Sequence, residues 1–337
     1  MNKYFIDFYY DNNYNAGSKA RDDISFYLKK NNFNPIMLKK GKSKLKNIIN
    51  IIRDMSVICY DSIVLIQYPF TNTKIYNRLI LVLLRIKKCK CILLIHDITS
   101  LRFKLSEYQV KREIKYINAF DIVISHNKKM SDWMRKNKFS KTYFDLNLFD
   151  YITEYSNEKK ECKTNSIVFA GNLSREKSGF IYNLNDINIE NISFNLYGVG
   201  IENSNYLEST NIIYQGKYKA DELPGKLNGR YGLLWDGPSV EKCIGDFGDY
   251  LRYNNPHKLS LYLSANLPVI AWEEAAVSDF IKENNIGITI NNLNELYQKI
   301  NSITDKEYEK MKFNASNIGE KIRSGYYIES IIKNICE

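Results

Sequence analysis

Lys258 lies in a run, Tyr253-Asn254-Asn255-Pro256-His257-Lys258-Leu259-Ser260, whose residue types specify a helix start. Asn255 is a good N-cap and Pro256 fits the first helical position, so His257 and Lys258 fall in the first turn, with Ser260 just beyond. Cations there oppose the helix dipole, a conflict that tends to survive where an anion resolves it. The alternative is a surface helix whose lysine faces water. Upstream, Ser166 to Ser178 reads as an apolar strand emptying into a turn at Gly171 that carries Arg175 and Lys177. Strand ends of open α/β sheets and helix N-termini favour anions, so two cations there suit a diphosphate. A βα turn with solvated charges fits the same residues. Between these segments, Trp235-Asp236-Gly237-Pro238 runs on to Gly245-Asp246-Phe247-Gly248-Asp249-Tyr250. Long loops in compact domains are usually functional or disordered. Aromatic and acidic groups in this one suit a sugar, by stacking and by accepting hydroxyl hydrogen bonds.

The first half offers fewer reactive groups. Asn15-Ala16-Gly17 follows the first apolar stretch, and His96-Asp97 closes a later one. Asp97 at a strand end can take a proton from a hydroxyl, or it can N-cap the segment beginning Ile98-Thr99-Ser100. His126, after Ile124-Ser125, reads as structural. Six cysteines (Cys59, Cys89, Cys91, Cys162, Cys243, Cys336) form no CxxC pair, and with three histidines they suggest reduced structural thiols.

Strands and helices must alternate to hold these groups. Lys3 to Tyr10, Asp61 to Gln67, Cys91 to Ile95 and Phe120 to Ser125 read as buried strands, with helices over Ser18 to Lys30, Thr73 to Ile86 and Lys128 to Lys138. A second series places strands at Ser166 to Ala170, Phe194 to Tyr197, Tyr231 to Trp235 and Pro268 to Trp272, with helices at Pro256 to Ala265, Val277 to Asn284 and Leu293 to Ile303. Continuous Val/Ile/Leu strands separated by helices indicate parallel sheets covered on both faces. Two such series predict an α/β protein of two doubly wound, Rossmann-like domains facing a cleft. The expected first domain spans 1–150, a polar linker 151–165, and the second domain 166–325. An amphipathic helix from Tyr326 can dock back on the first domain.

Composition agrees with this division. Of 16 glycines only Gly17 and Gly41 precede residue 171, and nine fall between Gly198 and Gly248, so the second half holds the loop-rich ligand side. With 337 residues, 44% hydrophobic and 26% charged, the chain is neither disordered nor collagen-like. A net charge of +10 favours an anionic partner. Its longest apolar run, Leu79 to Leu84, stops at Arg85, well short of the roughly 20 residues a membrane span needs. Met1 to Tyr10 carries Asp7 and reads as a strand rather than a secretion signal, so a soluble cytoplasmic protein is expected. Arg85, Lys87, Lys88 and Lys90 flank an apolar helix, which is compatible with peripheral membrane contact and equally with an ordinary buried helix ending in solvated cations.

The Gly171 to Lys177 turn, the Trp235-Asp236-Gly237 strand end, the Asn254 to Lys258 helix start and Leu267-Pro268-Val269-Ile270 together resemble bacterial GT-B glycosyltransferases. The resemblance is to the streptococcal glucosyltransferase 3 group and related galactofuranosyltransferases. It extends over nearly the whole chain, since Asn15 to Ala20 and His96 to Arg102 also look like that group. The resemblance implies a hexose transferred from a UDP-sugar, UDP-glucose first, to a saccharide such as GlcNAc on a surface glycoprotein or glycan. The alternative is galactofuranosyl transfer in capsule or exopolysaccharide synthesis.

Carried over by position, Arg175 and Lys258 would grip the diphosphate, with Lys177 a second cation and Asn255, Pro256, His257 and Ser260 completing the phosphate site. Ala16 and Gly17 would approach the nucleotide, Tyr214 or Tyr218 would lie by the base, and Asp236 is a donor-side candidate. Asn15, His96 and Arg102 are the acceptor-side candidates and Asp97 the candidate base. At Leu261 the chain departs from the broader retaining GT-B pattern, in which a Glu three residues after the Lys contacts ribose. Neither the retaining mechanism nor that ribose contact is therefore carried over.

No Asp-x-Asp occurs in the chain, so no metal and no cofactor is expected; cations and a helix dipole would stabilise the leaving diphosphate. The expected partners are a UDP-sugar and a saccharide or glycoprotein acceptor, with a homo-oligomer compatible. Nucleic acid is not expected, because the lysines are dispersed and no RRM or zinc-finger signature appears. A catalytically dead partner subunit is the remaining rival, and retention of Arg175, Lys258 and the glycine loop speaks against it.

Overall fold

The computed structural model describes residues 1–8, 16–39, 43–70, 73–154, 165–202 and 211–336. Asn15, most of the expected linker (155–164) and Cys162 lie outside them. The chain divides into two units, Met1–Asn147 with Ile328–Glu337, and Leu148–Tyr327. Tyr151, expected in the linker, is buried within the second unit, its amide donating to the Ile322 carbonyl.

The first unit runs β1 (Lys3–Phe8), α1 (Ala16–Lys30), β2 (Asn34–Leu38), α2 (Lys44–Ser56), β3 (Ile63–Tyr68), α3 (Lys74–Ile86) and β4 (Lys90–Ile95). It continues with α4 (Thr99–Arg102), α5 (Glu107–Ile117), β5 (Ile122–Ser125), α6 (Lys128–Lys136) and β6 (Thr142–Asp145). All six strands are parallel, in the order β2-β1-β3-β4-β5-β6. The middles of the central strands are apolar because helices cover both faces; Val64, Leu65 and Ile66 of β3 and Ile92, Leu93 and Leu94 of β4 are fully buried, and Gln67 is the buried polar residue of β3.

The second unit begins with β7 (Asn165–Asn172), α7 (Arg175–Ser178), a 3₁₀ segment (Gly179–Asp186), β8 (Ile192–Val199) and β9 (Ile212–Tyr214). Next come α8 (Leu223–Lys226), β10 (Tyr231–Leu234), α9 (Gly245–Tyr250), α10 (His257–Ser264) and β11 (Val269–Trp272). It closes with α11 (Ser278–Glu283), β12 (Gly287–Ile290), α12 (Leu296–Asn301) and α13 (Asp305–Ser324). Its parallel strands run β12-β11-β10-β7-β8-β9. The order reverses between β7 and β10, which makes their carboxyl ends the place where an open α/β sheet holds a ligand.

The final helix, α14 (Tyr326–Cys336), carries Ile328 and the residues after it into the first unit. There Lys30 pairs with Glu329 at 3.1 Å and Lys90 Nζ donates to the Ile335 carbonyl. One local expectation is corrected. Pro256 has ψ 131, extended rather than helical, so α10 starts at His257 and Pro256, not Asn255, occupies the cap position. Leu293 to Ile303 is likewise not one helix: a 3₁₀ turn (Leu293–Glu295) precedes α12.

Candidate functional site

Three segments expected to carry chemistry meet at the β7/β10 switch point. β7 ends where the Asn172 side chain accepts the Ser174 amide at 2.9 Å and the Ser178 hydroxyl donates to the Asn172 carbonyl at 2.7 Å, folding the chain into α7. β10 leads through Trp235 and Asp236 to Gly237, whose φ of +105° and closeness to Ile244 (a Cβ would lie 2.4 Å from its carbonyl oxygen) admit only glycine. Backbone bonds tie the two ends together: Gly237 donates to the Lys177 carbonyl at 2.8 Å, and Phe180 to the Gly237 carbonyl at 3.1 Å.

Helix α10 is fixed beneath them. Tyr262 packs flat against Gly232 of β10, where a Cβ would fall 2.2 Å from its ring, and its hydroxyl accepts the Ala170 amide of β7 at 2.9 Å. One turn earlier, the Lys258 stem passes Gly171, and its ammonium sits 4.4 Å over the Phe169 ring. Lys258 Nζ pairs with Asp236 at 2.7 Å and donates to the Trp235 carbonyl at 3.1 Å.

Asp236 therefore answers the helix-start conflict from within the fold, and its carboxylate is engaged by Lys258 rather than standing ready for a sugar. Burial holds the Lys258 ammonium below the ordinary lysine range; Asp236 opposes that shift and the like charge of Lys177 reinforces it. Lys177 itself is half-buried, with its ammonium 5.3 Å from the Phe247 ring centroid. The surplus of positive charge at the switch point can bind an anionic group.

The other candidates are distributed around this centre. Arg175 lies in the same turn, stacked over Tyr182 at 4.2 Å and paired with Glu202 at 3.6 Å, its side chain half exposed. His257 packs against Tyr151 and Phe149, with ring centroids 5.0 and 6.0 Å away. The Ser260 hydroxyl is buried and donates to the Phe149 carbonyl at 2.6 Å, a structural bond in place of the expected phosphate contact. Asn255 is buried just before α10. Tyr214 donates to the Gly198 carbonyl at 2.8 Å, and Gly198 abuts Gly171, where a Cβ would lie 1.8 Å from the Gly171 oxygen. Tyr218 is exposed beside Tyr197.

In the first unit, Ala16 and Gly17 open α1. Asp97 pairs with Arg102 at 3.0 Å, its side chain 35% exposed. Ile98, not Asp97, occupies the N-cap position of α4, and the amides of Thr99 and Ser100 donate to the Glu113 carboxylate at 3.0 and 2.6 Å. A buried chain ends at its neighbour. Ser25 donates to Asp7 at 2.8 Å, Gln67 Nε2 donates to Ser25 at 2.9 Å, and Gln67 Oε1 is left to accept from His96 Nε2 at 2.6 Å. Sequence reading assigns no site role to Asp7, Ser25 or Gln67, although each is a polar residue within an otherwise apolar or amphipathic element.

His126 is buried and its Nε2–H donates to the Ile95 carbonyl at 3.1 Å; burial pushes its pKa down to about 4, as a structural histidine requires. Cys89, Cys91 and Cys243 are buried free thiols pushed upward by desolvation, hence unreactive. Among the described residues no three His, Cys, Asp or Glu side chains are grouped so as to hold a metal ion.

Residues 2–148 match the model of the glucosyltransferase 3-like N-terminal domain, and residues 167–335 that of the glucosyltransferase 3-like C-terminal domain. The beta-1,6-galactofuranosyltransferase WbbI of Escherichia coli (strain K12) is 33% identical over 329 residues, covering 96% of this chain and 94% of that protein. Glucosyltransferase 3 of Streptococcus parasanguinis is 25% identical over 287 residues, covering 82% of this chain and 81% of that protein. Among solved structures, Anabaena HepE in complex with UDP and glucose superposes with a TM-score of 0.61 at 12% identity, covering 99% of this chain and all of that one. Sucrose-phosphate synthase of Thermosynechococcus elongatus gives 0.63 at 10% identity, over 99% and 97%.

Proposed function

The chain belongs to the glucosyltransferase 3-like family of glycosyltransferases and has the two-domain α/β GT-B fold, and from that premise we propose that it moves a hexosyl group from a UDP-sugar to a saccharide acceptor on a glycan or glycoprotein. The observation that carries this reading is the pair of cations, Lys177 and Lys258, at the β7/β10 switch point. A diphosphate leaving group needs positive charge where its own negative charge grows, and preorganised cations supply it without a metal. Arg175, at the mouth of the same turn, is the third cation available to it, and Tyr214 or Tyr218 is the candidate neighbour of the base.

In the displacement, the acceptor oxygen bonds to the anomeric carbon as its proton passes to a base. The bond from that carbon to UDP breaks, and the diphosphate leaves with the electron pair. Asp97, at the end of β4 with Arg102 holding its carboxylate, is the candidate base, and His96 beside it is a candidate acceptor contact.

Sequence reading placed UDP-glucose first. The 33% identity to a galactofuranosyltransferase across 96% of the chain favours UDP-galactofuranose as donor, with glucosyl transfer the second reading. A screen of UDP, UDP-glucose and UDP-galactofuranose for binding and slow hydrolysis tests both. Preferential turnover of UDP-galactofuranose is expected; preference for UDP-glucose would restore the other order, and binding of none would remove the donor assignment.

A further inference from the structure

Helices α2 and α3 carry a surface that the transfer reaction does not use. They connect β2 to β3 and β3 to β4, steps in the same direction across the first sheet, so right-handed crossovers place both on one face of it. They touch: Asn47 Nδ2 donates to the Tyr76 hydroxyl at 3.2 Å. Each buries one side, Asn50, Ile51 and Met55 on α2 and Asn77, Ile80 and Leu84 on α3.

The outward side is not polar. Leu45, Ile49 and Ile52 of α2, spaced i, i+4, i+7, are 67%, 55% and 48% exposed, and Ile75, Val82 and Ile86 of α3 are 66%, 54% and 61% exposed. Lone exposed aliphatics are ordinary, but six on the outward sides of one touching helix pair are of the sort that marks a contact surface. The same two helices and their ends carry Lys44, Lys46, Lys74, Arg78 and Lys88, together with Arg53, which pairs with Asp54 at 2.9 Å, Arg85, which pairs with Asp121 at 3.2 Å, and Lys87, which donates to the Ser56 carbonyl at 2.8 Å. Among the described residues, Lys44, Lys46, Lys74, Arg78 and Lys88 form no ion pair.

We propose that the outer face of α2 and α3 docks on an anionic lipid bilayer. The helices lie in the headgroup plane, with the six aliphatic side chains entering the acyl boundary and the cations over the headgroups. No helix among the described residues is long and apolar enough to cross a membrane, so the contact is with the surface. Charge decides against the other occupants. A second copy would bring these five cations against five, a like-charge contact that disfavours pairing. Nucleic acid would engage the cations but leave six aliphatic chains without the stacking that bases offer aromatic residues.

Co-sedimentation of the full chain with vesicles tests this. Vesicles of equal parts phosphatidylglycerol and phosphatidylcholine should pellet the protein, and phosphatidylcholine alone should not; added salt should weaken the binding. The variant Ile49→Gln with Ile75→Gln and the variant Lys74→Glu with Arg78→Glu should each weaken partition roughly tenfold or more while UDP binding and melting temperature stay unchanged. Failure to sediment with anionic vesicles, or equal sedimentation of folded variants, overturns the proposal. A dimer in solution that the same variants dissociate would assign the face to a second copy, and a mobility shift of nucleic acid that they abolish would assign it there.

Discussion

Asp236 holds Lys258 in a 2.7 Å ion pair in which the two side chains are only 8% and 12% exposed. The pair makes Lys258 a structural residue as well as the proposed phosphate ligand, and an incoming diphosphate has to share its ammonium with a carboxylate already in place. Simple truncation therefore cannot isolate the ligand contact, because it leaves a buried charge uncompensated.

Lys258→Met alone is expected to cost about 3–5 kcal/mol of stability, the typical effect of breaking a buried ion pair from one side. Lys258→Met combined with Asp236→Asn should recover most of the fold. That double variant should bind UDP about 10- to 100-fold more weakly, the range of one charge-assisted phosphate contact. Denaturant unfolding and calorimetry read the two quantities separately. Unchanged UDP affinity in the folded double variant would move the phosphate site elsewhere.

If Lys258 holds the diphosphate as proposed, its lowered pKa should give UDP binding an alkaline limb. As pH rises, this ammonium loses its proton earlier than an ordinary lysine, and affinity should fall with it. The sign for stability is opposite: the unfolded chain keeps the proton to higher pH, so folding gains from Lys258 as pH climbs from its depressed pKa to the ordinary lysine value. Calorimetric UDP affinity against pH should show the limb, and Lys258→Arg should displace it upward.

Chelation should change nothing. With two lysines at the switch point proposed to take the role a divalent cation plays elsewhere, EDTA should leave both UDP-induced thermal stabilisation and transfer intact. Loss of transfer on chelation that Mn²⁺ restores would contradict this.

Asp97→Asn is expected to keep UDP affinity within a few-fold and to lose transfer by about 10²–10⁴, the usual worth of a positioned base. Since Glu113 rather than Asp97 receives the α4 amides, the substitution should leave the melting temperature nearly unchanged. Normal transfer by the variant would pass the role to His96, whose ring Gln67 already orients.

His126, with a pKa near 4, sets an acid limit on the first unit. Between about pH 6.5 and 4 the unfolded chain takes up a proton that the folded one refuses, so stability falls with pH by up to about 1.4 kcal/mol per unit. The slope should shrink in a folded His126→Gln variant, measured by denaturant unfolding at successive pH values.

The sequence made the alternation of strands and helices legible where four or more apolar residues run together, as within Ile63–Tyr68 and Lys90–Ile95, because side chains of both faces are then apolar, as a covered parallel strand requires. Short or mixed elements such as β2, with two exposed residues among five, β6 and β9 carry too little pattern and escaped notice. At the site, residue types were readable and partners were not. Lys258 and Asp236 are 22 positions apart and meet only because β10 and α10 pack together. Tyr262 left no such cue: its role depends on Gly232 and Ala170, which approach it only in the folded sheet. The start of α10 was misplaced by one residue because proline fixes φ but leaves ψ to its surroundings.

The first unit, finally, is not one stretch of chain: Ile328 and the residues after it belong to it, separated from residue 147 by the whole of the second unit. On a ribosome, residues up to 147 must wait until the whole second unit has been made before Ile328, Ile331, Ile332 and Ile335, buried residues of the same unit, arrive. A nascent chain stalled anywhere in the second unit carries an unfinished N-terminal half with an uncovered apolar surface. A stop codon near residue 327 would thus injure the half of the protein encoded farthest from it.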